Sequence, residues 1–166
     1  MMPMAGSSVA VALCLGPMLV AAAYDLISFR IPNVLPLAST LFFPLAVLAG
    51  GATDGTLAGH LIGGACGLAI GITAFACGAL GGGDAKLFAA LALWGGIGQL
   101  LPLLVVISVQ GGLLTVFLVM ARNWNLGLVA TRLGLALPIF ERTAPIPYGV
   151  AIAGGALWLV GQPNWL

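Results

Sequence analysis

The chain has 166 residues, 61% of them hydrophobic and 5% charged, with a net charge of +1 and a mean hydropathy of +1.19. A soluble domain carries about a quarter of its residues as charges, so this composition excludes one and sets the class as all-α, a polytopic membrane helical bundle forming a single domain over residues 1–166. Net charge this close to zero gives no sign of a nucleic-acid partner, and Cys14, Cys66 and Cys77 lie in apolar runs without the spacing of a disulfide framework or a zinc ribbon.

Residues 4–24 form a first apolar span of the length a bilayer requires. A secretory signal peptide is the rival reading, because Ala21-Ala22-Ala23 resembles a cleavage site. No Lys or Arg precedes the run, however, so a retained span is expected. Tyr24 to Asn33 carries two charges and a proline that discourages helix before it, and reads as an interfacial loop. A second span covers about Val34 to Gly50, with kinks expected at Pro36 and Pro44, and is followed by a polar turn at Thr53-Asp54-Gly55-Thr56. The third, about Leu57 to Leu80, holds Gly59, Gly63, Gly67 and Gly71 at four-residue spacing, a small-residue stripe that lets helices pack closely.

Next comes Gly81-Gly82-Gly83-Asp84-Ala85-Lys86, three glycines ending in a carboxylate at the edge of hydrocarbon. An Asp at the centre of a membrane helix costs about 2.5–3.5 kcal/mol to insert, so its presence calls for a function or a partner. Residues 85–99 and 100–121 are the fourth and fifth expected spans. Arg122 to Thr143 reads as a loop with an amphipathic surface helix. A sixth span runs from about Pro145 to Gly161, leaving a polar tip with Trp165 at the interface.

Six transmembrane helices produce a consistent charge pattern. With the loop after the first span in the cytoplasm, Arg30, Lys86, Arg122, Arg132 and Arg142 all fall on that side, while Asp54 and both termini fall on the other. The same count brings Asp25, Asp84 and Pro147-Tyr148-Gly149 to the cytoplasmic face. The expected location is therefore a multi-pass protein of the inner (cytoplasmic) membrane with its site facing the cytoplasm.

Two carboxylates held close resist simultaneous ionisation and share a proton. One then activates a water while the other serves the carbonyl oxygen, which is the chemistry of an aspartic peptidase. Each aspartate also has a structural explanation. Asp84 caps the helix that follows it, and Asp25 pairs with Arg30. His60 lies toward the opposite end and reads as a packed or interfacial residue, so the serines lack a histidine base. A metal site needs more ligands than this face offers. A proton- or ion-coupled small transporter is the alternative use of the same carboxylates, although such groups usually sit near the bilayer midplane between repeated halves. A noncatalytic assembly subunit is a third.

Asp25 with Arg30-Ile31-Pro32-Asn33, then Gly81-Gly82-Gly83-Asp84-Ala85-Lys86, then Pro147-Tyr148-Gly149-Val150-Ala151-Ile152 together resemble the type IV prepilin peptidase family, GxGD membrane aspartyl proteases, and in particular its short members serving Flp/Tad-type pili. The GxGD element is shared with preflagellin peptidases and, more remotely, presenilin-like proteases. The resemblance implies that Asp25 and Asp84 are catalytic and that Gly81 and Gly83 are the motif glycines. It implies substrate-binding or structural roles for Lys86, Arg30, Pro32, Asn33, Pro147, Tyr148 and Gly149. It also implies cleavage of a basic leader from a prepilin-like protein at the cytoplasmic face, with the lipid bilayer as the other partner. Longer relatives methylate the new N-terminus and carry a zinc-binding insertion. This chain lacks that insertion, so peptidase activity alone is expected, with no metal and no cofactor.

Overall fold

Helix α1, Ala5–Ser28, runs about 36 Å at 1.5 Å per residue, enough to cross the hydrocarbon core. The computed structural model describes residues 5–48, 57–124, 132, 138–141, 143–162 and 165–166. Asp54 and Arg142 lie outside them, as does most of the expected amphipathic surface helix. α1 continues past the expected boundary, so Asp25 sits in its last turn and not in a loop. The helix stops at Phe29, whose φ of 51° is left-handed and whose N–H still donates to the Asp25 carbonyl at 3.1 Å.

Helix α2 covers Val34–Ala46, α3 Leu57–Ala76, α4 Gly82–Asn123 and α5 Tyr148–Val160, with a short 3-10 turn at Pro138–Phe140. Among the described residues every regular element is helical. The expected number of six transmembrane helices is not supported. Among the described residues three helices, α1 over Ser8–Ser28, α3 and α4, are long and apolar enough to cross a membrane by length and composition. α2 and α5 have 13 residues each, about 20 Å, which falls short of a core about 30 Å thick.

The expected fourth and fifth spans form the single 42-residue element α4, interrupted at Gly96 with φ 65° and ψ −179°. The chain turns there. A methyl on Gly95 would meet Leu103 Cδ1 at 2.8 Å, Phe88 shares a cavity wall with Leu104 and Ile107, and Arg122 reaches the Pro145 carbonyl. The second half of α4 therefore returns toward the end where Asp84 lies. The glycine stripe of α3 packs on the first half. Methyls at Gly63 and Gly67 would overlap Gly96 and Ala92, and one at Gly71 would sit 2.8 Å from the Ala85 carbonyl oxygen, whereas Gly59 meets only Ile97 at 3.8 Å.

Met18, Leu87, Leu91, Trp94, Leu103, Ile152 and Leu159 are fully buried between the helices. Leu37, Leu61, Leu101 and Leu113 are each more than half exposed, as expected of a surface facing lipid. Far from the aspartates, His60 is buried with Nδ1 3.0 Å from the Leu93 carbonyl and its ring tilted on Phe43. This is the packed role expected of it. Trp165, expected at the interface, packs inward. It is buried and stacks on Trp94 with ring centroids 6.0 Å apart, while Trp94 Nε1 donates to Ser39. Cys14 is buried, but Cys77 is exposed.

Candidate active site

Three helix ends make the site: the last turn of α1 and the first turns of α4 and α5. Asp25 and Asp84 line one open cavity of about 330 Å³ together with Phe29, Arg30, Ile31 and Gly81–Gly83. Asp25 is buried, and its Oδ2 accepts the Gly149 N–H at 2.7 Å. That amide is one of the donors a helix start leaves without a partner inside the helix. The bond offsets part of the cost of burying a carboxylate. Asp25 thus takes its hydrogen bond from the far end of the chain and not from Arg30.

Asp84 is the third residue of α4, after Gly81 at the N-cap position. The carboxylate turns back toward that residue, so that a methyl on Gly81 would lie 2.8 Å from Oδ2. Oδ1 is buried and has no hydrogen-bond partner among the described residues. A capping carboxylate needs only one oxygen for a free N–H of the helix start, so the arrangement fits a cap and leaves the second oxygen without a partner among the described residues.

The glycines are there for clearance. A methyl at Gly83 would come 3.0 Å from Ile31 Cβ, in the connection between α1 and α2, and one at Gly149 would come 2.9 Å from Asp25 Oδ2 and 3.0 Å from Ile31 Cδ1. Ile31 is therefore the wedge on which both glycine turns close. At Gly82 the nearest atom would be Phe75 Cε2 at 3.5 Å, an ordinary contact.

Other expected site residues stand outside the cavity wall. Lys86 is exposed and donates from Nζ to Asn33 Oδ1 at 2.8 Å, tying the start of α4 to that of α2. The Pro32 carbonyl accepts the Leu35 N–H at 3.0 Å. Pro147 is buried just before α5. Tyr148 leans over Gly111 and lines a separate apolar cavity of about 270 Å³ with Leu80, Phe88 and Ile107.

Phe29 and Ile31 line the cavity without being legible as site residues, nor is the inward turn of Arg122 legible. Hydropathy carries no sign of Phe29's left-handed backbone, and Arg122 resembles any arginine ending an apolar run. Arg122 is a buried residue.

A profile of the type IV leader peptidase family matches residues 12–117. That range holds both aspartates and the three glycines before Asp84, and leaves out Gly149. Comparison with curated proteins and with solved structures gives no match.

Proposed function

The chain belongs to the type IV leader peptidase family, and from that premise we propose that it removes the basic leader of type IV, Flp/Tad-like prepilins with Asp25 and Asp84 as an aspartate dyad. The observation that supports this reading best is the shared cavity: two carboxylates from distant parts of the chain face one open space at the end of the bundle. Arg30, Lys86 and Arg122 belong to that same end, through the cavity wall, the Asn33 bond and the Pro145 bond. By the positive-inside rule it faces the cytoplasm of the inner membrane.

In the proposed reaction the dyad shares one proton. The ionised carboxylate takes a proton from water as the oxygen attacks the scissile carbonyl carbon, and the protonated partner donates to the carbonyl oxygen. Collapse of the tetrahedral intermediate breaks the C–N bond while a carboxyl proton passes to the leaving nitrogen. The products are the leader's new carboxylate and a free amine on the mature chain. The buried, unpartnered Asp84 Oδ1 is available for this work. Asp25, oriented by Gly149, is fixed in place beside it. The apolar segment after the scissile bond lies in the bilayer and the basic leader stays in water, so the bond halts at the interface.

The test is purified protein in lipid with a Flp-type prepilin, assayed for leader loss. Asp25→Asn and Asp84→Asn are each expected to abolish cleavage while the protein stays in the membrane. Cleavage at the parental rate by either variant refutes the dyad. Proton- or ion-driven uptake into liposomes that both variants lose, with no cleavage by the parent, would identify a transporter.

A further inference from the structure

Arg122 sits at the last turn of α4 and is a buried residue, 8% exposed. Nε donates to the Ile139 carbonyl at 2.9 Å and one terminal nitrogen, Nη2, donates to the Pro145 carbonyl at 3.1 Å. Burying a cation is costly unless it is hydrogen-bonded, and the bonds described here go to backbone carbonyls. A side chain that only anchored α4 at the headgroups would extend into water. This one turns inward and grips the connection leading to α5.

That connection leads straight to the site. Pro145 is followed by Ile146, buried Pro147 and Tyr148, then by Gly149, whose amide donates to Asp25. Tyr148 packs against Gly111, further back on α4. Further along, Gly154 and Gly155 pack on Gln110 and Ile107, so the Arg122 bonds fix the approach to the last helix, whose first turn carries the hydrogen bond to the buried aspartate. The fork geometry of arginine suits two divergent carbonyls, whereas the ammonium of lysine is a point donor.

We infer that Arg122 is a positioning residue that, by clamping the backbone at Ile139 and Pro145, sets the Gly149 amide on Asp25. The catalytic consequence rests on the peptidase reading; the structural consequence does not. Losing the clamp loosens the start of α5, so the Asp25 carboxylate swings while the surface that receives the substrate is retained. Misplacing a reacting group by about 1 Å costs on the order of a hundredfold in rate. Arg122→Ala is therefore expected to lower kcat by about 10- to 100-fold with KM for the prepilin little changed. Arg122→Lys, which keeps the charge and one donor, recovers part of that loss.

The experiment measures amide hydrogen exchange over residues 144–150 and prepilin cleavage, in lipid, for the parent, Arg122→Ala, Arg122→Lys and the exposed-site control Trp124→Ala. The expected result is faster exchange at 144–150 in Arg122→Ala, unchanged exchange in α3, a fall in kcat and partial recovery with lysine. Should Arg122→Ala not fold, Arg122→Lys carries the same comparison at smaller amplitude. Parental exchange at 144–150 in the arginine variants overturns the inference whatever the activity. A fall in cleavage matched by Trp124→Ala also overturns it. Faster exchange in a protein whose parent cleaves no prepilin supports the clamp and refutes the peptidase reading instead.

Discussion

The backbone amide of Gly149 and the carboxylate of Asp25 meet at 2.7 Å, joining the first turn of α5 to the last turn of α1. No side chain fits between them. Gly149→Ala places a methyl 2.9 Å from Asp25 Oδ2 and 3.0 Å from Ile31 Cδ1, and displaces the carboxylate proposed as one of the reactive pair. Prepilin cleavage is expected to fall by at least about tenfold, with membrane abundance near parental. A leader-cleavage assay normalised to protein in the membrane checks it.

The three glycines before Asp84 are expected to respond unequally. Gly82 has room for a methyl against Phe75, whereas one at Gly81 collides with Asp84 Oδ2 and one at Gly83 presses on Ile31. Gly82→Ala should keep most activity, and Gly81→Ala should lose most of it. Gly83→Val should lose it as well while remaining inserted, since its branched side chain displaces the Ile31 loop. Equal activity of Gly81→Ala and Gly82→Ala would contradict the clearance argument.

At the opposite end of the bundle the expected effects are on stability. Gly96 has φ 65° and ψ −179°, a region essentially confined to glycine that costs a residue with Cβ roughly 1–3 kcal/mol. Gly63 lies directly against it, with no space for a methyl, while Gly59 has space. Gly96→Ala should destabilise by about 1–3 kcal/mol, and Gly63→Ala by at least the ~1–3 kcal/mol typical of overpacking, with Gly59→Ala near neutral. Thermal unfolding in detergent ranks the three.

The Lys86–Asn33 hydrogen bond is exposed, so water competes for both groups and its net contribution is small. Asn33→Ala should cost no more than about 1 kcal/mol in the same measurement. A larger loss would mean that the link carries the docking of α2 on α4.

Much of this site could be read from residue order because membrane helices constrain where their ends go. Asp25, Asp84 and Gly149 were expected on one side from the sequence of apolar runs, and they do share one end of the bundle. The α3 stripe was equally readable, since glycines every four residues have few uses other than close packing. The turn at Gly96 was not, because Gly95-Gly96-Ile97-Gly98 lies within an apolar run and hydropathy is blind to φ. Asp25 was assigned to a loop because a charge usually ends a span, whereas here the amide of another helix keeps the charge inside. By residue type alone Trp165 reads as interfacial and Arg122 as the start of a surface loop. Tertiary partners, Trp94 for one and two carbonyls for the other, draw them in.

Gly149 supplies its donor from the last helix, beyond the residues that match the family profile. A ribosome that has delivered both aspartates has still not delivered the group that holds the first one steady. Until α5 emerges and docks, the nascent chain carries Asp25 without the amide that holds it.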